Sequence, residues 1–143
     1  MRGDETGKTV QSPTQDPASS EKGTQGLGAQ LVIDAPCDFI NSNQRLHRMQ
    51  TAKLTKTWRQ AGAEAAQGQE PITGQVHILA HISKPRGGRW DPNNLWPTIK
   101  ALVDGVVDSG LLQDDDWTHV VGPDMRRGPK GPACVVLEIA QIP

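Results

Sequence analysis

Two sets of carboxylates bracket one apolar-faced stretch of this sequence. Asp91 stands just before it, and Asp114-Asp115-Asp116 stand just after it. If the chain doubles back after that stretch, the two sets converge. Carboxylates held a few ångströms apart repel one another unless a cation lies between them. Oxygen donors without His or Cys select hard ions, so the ion expected is Mg²⁺, with Mn²⁺ the alternative. Read as a helix, the stretch puts Asn93, Pro97, Lys100, Asp104 and Asp108 on one face, opposite the apolar stripe. Asn93 and Lys100 are then two turns apart, a rise of about 10 Å. Lys100 is the sole cation of the stretch, and a lysine beside a metal-carboxylate site can stabilise charge developing on a phosphate.

Cations are segregated around these acids, although the net charge is only −1. Arg45 and Arg48 open a basic run that contains no acid up to Ala63. Lys84, Arg86 and Arg89 precede Asp91, and Arg126 and Arg127 follow the second acidic set. A polyanion passing a metal site needs that arrangement, with Arg and Lys holding its backbone and a metal neutralising one phosphate. Each piece also has a plainer reading. Asp91-Pro92 suits a helix start, Asp as cap and Pro at the first position. The Asp114-Asp115-Asp116 run suits a solvated turn, Lys100 an ordinary surface lysine, and Arg126-Arg127 a surface turn. The four tryptophans suit core or loop packing, and His77 and His81 suit structural roles on a strand.

The elements that must position these residues can be read from patterning. The chain has 143 residues, 35% hydrophobic and 22% charged, which fits one globular domain. Aromatics are only 3%, so the core must rely on aliphatics. No apolar run approaches the roughly 20 residues of a membrane span, and no apolar leader opens the chain, which argues against secretion. Two cysteines, Cys37 and Cys134, match neither a disulfide scaffold nor a zinc site. Residues 1–28 are expected to form a disordered tail, because they hold almost no large aliphatics. Residues 29–143 are expected to fold as one domain. Strands are expected at 30–36, 74–83 and 134–142, with a short one at 119–121. Helices are expected at 44–67 and 93–108, ended by Gly68 and Gly110. The first would carry a stripe of Leu46, Met49, Ala52, Trp58, Ala61 and Ala65, and residues 122–132 would be a loop. The order β-α-β-α-β-β gives a single α/β domain of α+β-like character, a small mixed sheet with two main helices packed on it.

The order of residues resembles the RusA family of Holliday junction resolvases. The resemblance lies in Arg89-Trp90-Asp91-Pro92-Asn93-Asn94-Leu95, in Lys100-Ala101-Leu102-Val103-Asp104, and in Ser109-Gly110-Leu111-Leu112-Gln113-Asp114-Asp115. It is closest to phage-borne members from actinobacterial hosts, which share the steps Trp96-Pro97-Thr98 and Gly122-Pro123-Asp124-Met125-Arg126. It spans about residues 31–139. The resemblance implies a small homodimer that cuts four-way DNA with Mg²⁺ in the bacterial cytoplasm or a phage-infected host. By that resemblance Asp91 and Asp115 are catalytic acids, with Asp114 or Asp116 as register alternatives to the second. Lys100 matches the essential lysine and Asn94 the asparagine of the Asp-Asn-Leu step. Asn93 stands where the family has a second aspartate. Its amide can still coordinate a hard ion but brings no charge. Residues are also inserted between Leu95 and Lys100 relative to the shorter bacterial pattern.

These observations lead us to expect a Mg²⁺-dependent endonuclease on branched DNA, with Asp91, Asn93, Asp114 and Asp115 around the metal and Lys100 as catalytic lysine. Arg45, Arg48, Lys84, Arg86, Arg89, Arg126 and Arg127 would grip phosphates. A symmetric junction needs two cuts, which a twofold dimer supplies. The alternatives are a branched-DNA-binding protein that cuts weakly or not at all because of Asn93, another structure-selective metal-dependent nuclease, and a non-enzymatic module with an acidic turn.

Overall fold

Alternating aliphatic residues build three of the four strands, and their buried rows face the same way. In the computed structural model, which describes residues 28–143, the elements are β1 (Gly28–Asp34), α1 (Arg48–Ala66), β2 (Val76–Ser83), α2 (Trp96–Asp108), β3 (Val120–Arg127) and β4 (Cys134–Gln141). A 3₁₀ turn, Pro92–Leu95, leads directly into α2. The expected tail lies outside the described residues except for Gly28, which opens β1. The sheet order is β1-β4-β2-β3. β4 is antiparallel to both β1 and β2, whereas β2 and β3 are parallel. The buried row is Leu31 and Ile33 of β1, Val76, Ile78, Ala80 and Ile82 of β2, and Val135, Leu137 and Ile139 of β4. Fully burying one such side chain stabilises by about 1.5–3 kcal/mol. The expected small mixed sheet with two helices is what the chain forms. No helix among the described residues is long and apolar enough to cross a membrane.

The helices pack on that buried row and on each other at unusually short range. α1 buries Trp58, Gly62 and Ala66, spaced four apart. The expected stripe was different: Met49 is 75% exposed, and α1 starts at Arg48 because the His47 side chain accepts the Met49 N–H at 3.1 Å and caps it there. The reason for the narrower stripe is the contact with α2. A Cβ on Gly62 would stand 2.3 Å from the Leu102 carbonyl oxygen, and one on Gly105 would stand 1.9 Å from that of Arg59. Only hydrogens fit between these backbones. Above that contact Leu95, Ile99, Leu102, Val103 and Val106 are buried, as their helical spacing implied.

Thr98, wholly buried, ties the segment between β1 and α1 to α2. Its hydroxyl accepts the Ile40 N–H at 2.7 Å and donates to the Ile40 carbonyl at 3.0 Å. Nearby, the Trp58 indole N–H donates to the Asp38 carbonyl at 2.9 Å, and the Phe39 and Trp58 rings stack at 5.5 Å.

Residues 122–127 are not the start of a loop, as expected, but the body of β3. Gly122-Pro123 suggests a loop because both residues disfavour regular strands. The parallel ladder shifts register opposite Ile78, between His77–Val121 and Leu79–Asp124. Gly122 takes φ +92° there, where a Cβ would stand 3.0 Å from the Ile78 carbonyl oxygen, and the Gly122–Pro123 peptide is cis. β3 is an edge strand, so the N–H that proline lacks is not missed by a neighbour on its far side.

Gly105→Ala should therefore cost about 2 kcal/mol or more by overpacking, outweighing alanine's better helix propensity. Thr98→Val should cost about 1–3 kcal/mol by stranding both polar groups of Ile40. Urea unfolding monitored by far-UV dichroism reads both; wild-type midpoints would contradict these packing claims.

Candidate acidic site and basic cleft

The chain after α2 does double back. Asp115 lies seven residues past the end of α2, yet its carboxylate meets the ammonium of Lys100, eight residues before that end. Eight residues of helix are about 12 Å. Lys100 also donates to Asp104 Oδ1 at 2.8 Å. One ammonium therefore joins a carboxylate of the helix to one of the returning loop. Burial pulls the Lys100 ammonium down, and its hydrogen bonds to the two carboxylates outweigh this and raise it. The same ammonium, first among its neighbours, holds the Asp115 carboxyl down to about 2. A cleft of about 130 Å³ opens beside the pair, lined by Trp96, Lys100, Val103, Asp115, Val120 and Pro123, with Gly122 at its wall.

Asp91 sits at the other side of the 3₁₀ turn. Its Oδ1 accepts the Asn93 N–H at 2.9 Å, the capping role that Asp before Pro suggested. Neither Asp91 nor Asn93 lines the cleft at Lys100. The structure thus brings together Lys100, Asp104 and Asp115, with Asp91 used locally as a cap. Asp104 was missing from the expected metal-site residues. Its i,i+4 spacing to Lys100 was the available signal.

Asp114 and Asp116 turn elsewhere. With His119 they form the one group of three potential ligands among the described residues, donor atoms within 4.8 Å of each other. Asp116 is already engaged: it accepts from the Thr118 hydroxyl at 2.7 Å, the His119 N–H at 3.1 Å, and lies 2.6 Å from His119 Nδ1. The Thr118 hydroxyl first, then His119, hold the Asp116 carboxyl below the usual range. This is a side-chain-to-backbone turn that leads the chain into β3. Asp114 Oδ1 accepts the Asp115 N–H at 2.7 Å and so helps hold the loop.

Towards a hard divalent ion, this site offers two carboxylates, those of Asp104 and Asp115, and no third ligand group beside them among the described residues. All donors are oxygens, and the Asp104 and Asp115 carboxylates already converge on one positive charge. The ammonium is the cation in that position.

The cations divide in two. Lys84, Arg86, Arg89 and Trp90 line a separate cleft of about 80 Å³ with Gly87. The Lys84 ammonium lies 4.9 Å from the Trp90 ring centre, and the Arg127 guanidinium lies 5.0 Å from it. Arg126 is exposed on β3, and its guanidinium donates to the Met125 carbonyl. Arg45 and Arg48 are exposed at the start of α1 and do not line that cleft. Of the tryptophans, Trp58 is core, but Trp96 is 42% and Trp117 83% exposed, contrary to the packing role expected of them. Trp96 follows the 3₁₀ turn and lines the Lys100 cleft beside Val103, Val120 and Pro123, and Trp117 lies in the turn before β3. His77 and His81 are structural partners on the outer sheet face, within 2.6 Å of Asp124 and 3.4 Å of Glu138.

Among known proteins, no family model matches this chain, and no curated protein matches it either.

Asp115 gives a pH test of the Lys100 contact. Its folded pKa, about 2, is below the unfolded value of about 4. The ionised contact therefore favours folding above about pH 4 and is lost as pH falls from there through about 2. Asp115→Asn should be less stable than wild type at pH 7, and the gap should close towards pH 2. Thermal melts across that range decide it; a gap constant with pH would remove the contact.

Proposed function

We propose that the chain is a Mg²⁺-dependent endonuclease that resolves four-way DNA junctions, a member of the RusA family acting as a homodimer. The observation that carries this reading is the meeting of Lys100 and Asp104 of α2 with Asp115 of the loop that returns from it. Two acids and a lysine in contact, with unpaired cations elsewhere on the described surface, are parts that phosphodiester hydrolysis uses. Asp115, with Asp91 and Asn93 or with Asp104, would hold the ion, and Asp114 would steady the loop. When bound, Mg²⁺ supplies Lewis-acid polarisation of the scissile phosphate and an activated water. Lys100 would release one carboxylate and orient towards the phosphate, where its charge offsets the charge that builds up. Arg45, Arg48, Lys84, Arg86, Arg89, Arg126 and Arg127 would hold the strands on either side.

A second reading is favoured by Lys100 itself. The ammonium already neutralises both carboxylates, and Asn93 adds no charge to attract an ion. On that reading the chain binds branched DNA and cuts it weakly or not at all.

A synthetic four-way junction separates the two. With Mg²⁺ the wild type should cut it in preference to flap or linear duplex, and EDTA should stop cutting but not binding. Asp115→Asn and Lys100→Ala should each lower cutting roughly a hundredfold or more with binding retained, and Asp91→Asn should do likewise if Asp91 is a ligand. Binding without cutting, with strong cutting restored by Asn93→Asp, would establish the second reading instead. Neither binding nor cutting would leave no place for either.

A further inference from the structure

The cleft around Trp90 has a property that the acidic site does not use: its cations have no anionic partner among the described residues. Lys84, Arg86 and Arg89 line it. Lys84 and Arg127 lie against the Trp90 ring, 4.9 and 5.0 Å from its centre. Lys130 stands beside Gly87 of that lining, its ammonium 3.8 Å from where a Cβ of Gly87 would be. Among the described residues none of these side chains makes an ion pair. The nearest carboxylate in sequence, that of Asp91, is engaged with the Asn93 N–H.

Elsewhere in the described chain Arg59 and Lys100 find acids, whereas Arg45, Arg48, Lys53, Lys56 and Arg126 stand without ion pairs but are not gathered around one cleft with the Trp90 indole. Arg59 grips Asp108 with two hydrogen bonds, at 2.6 and 2.9 Å, and Lys100 takes both Asp104 and Asp115. Like charges gathered around one small cleft repel each other, so the arrangement costs free energy unless a counter-anion enters. The Trp90 ring lowers that cost in part, because its face attracts two of the cations. The same indole has a buried N–H with no acceptor in the described residues, which is costly unless a partner arrives.

The topology explains why these cations meet. In a parallel pair both strands end on the same side, so the loop after β2 (Lys84, Arg86, Arg89, Trp90) and the end of β3 (Arg127) are neighbours. The Lys84 carbonyl accepts the Gly131 N–H at 3.1 Å, which fixes the loop after β3 beside it. This is the edge of an α/β sheet where ligands are commonly bound, beyond the carboxyl ends of the strands.

We propose that the Trp90 cleft is a phosphate pocket: Lys84, Arg86, Arg89, Arg127 and Lys130 hold one phosphate group against the Trp90 edge. A guanidinium pairs with phosphate oxygens in a two-point grip, and lysines add point charge. The phosphate is either a backbone phosphate of a nucleic-acid strand or a free phosphate anion. The strand source rests on the nuclease reading above, which would give the pocket a strand running on towards Lys100; the pocket itself rests on its unpaired cations.

The full chain labelled with ¹⁵N shows one indole N–H signal for each of Trp58, Trp90, Trp96 and Trp117, and Trp90→Phe assigns the second. Inorganic phosphate should move the Trp90 signal in a saturable way while leaving that of Trp58 in place. Arg86→Gln with Arg89→Gln, both exposed and so harmless to folding, should weaken that binding at least tenfold. A short single-stranded DNA that moves the same signal and is displaced by phosphate assigns the strand source. Movement with phosphate but not with DNA assigns the free anion. No movement with either, or equal movement of all four signals, overturns the pocket. A junction-cutting assay keeps the two claims apart: cutting that persists unchanged in the double variant removes the strand source and spares the nuclease, whereas Trp90 movement in a protein that never cuts spares the pocket and removes the nuclease.

Discussion

The parallel pairing of β2 with β3 is the constraint on which the rest depends. Two adjacent strands that run the same way cannot be joined by a tight turn, so the chain between them must leave the sheet, cross it and come back. α2 is that crossing. Its return explains the proximity of Asp115 to Lys100, and the shared end of the two strands explains the proximity of Lys84 to Arg127. An antiparallel β2–β3 hairpin of the same composition would put neither pair together.

The crossing helix is held down by backbone rather than by side-chain bulk. Gly62 of α1 and Gly105 of α2 let the helices meet so closely that each carbonyl occupies the space of a missing Cβ. A core with one phenylalanine and no tyrosine gains from this, because closely set helices leave less volume for small aliphatics to fill. The Arg59–Asp108 pair joins the same helices at the surface, where it is half exposed and adds little. Thr98 then fastens the segment after β1, so that Phe39 stands beside Trp58 on one side and 5.9 Å from the Lys84 ammonium on the other. Core and basic cleft are thus joined through one aromatic ring.

Charge is distributed by the same logic. The acidic side of the protein is internally compensated: Lys100 serves two carboxylates, Thr118 and His119 serve Asp116, and His77 serves Asp124. The basic side is not compensated. Among the described residues, the unpaired cations gathered around Trp90 give that side a positive local charge despite a net charge of −1.

Much of this was legible along the chain. Period-two and period-3.6 spacing, Gly68 and Gly110 at positive φ, and Asp91 before Pro92 determined the elements, because these depend on neighbours a few residues away. The acid-lysine spacing pointed to Lys100 and Asp115, which do meet. What tertiary structure alone decided was partnership. Asp104 rather than Asp91 shares Lys100, Trp90 rather than Trp96 or Trp117 carries the cations, and Gly122-Pro123 runs as a strand because β2 supplies its ladder. Such choices depend on through-space distances between segments far apart in sequence, and no local spacing encodes them.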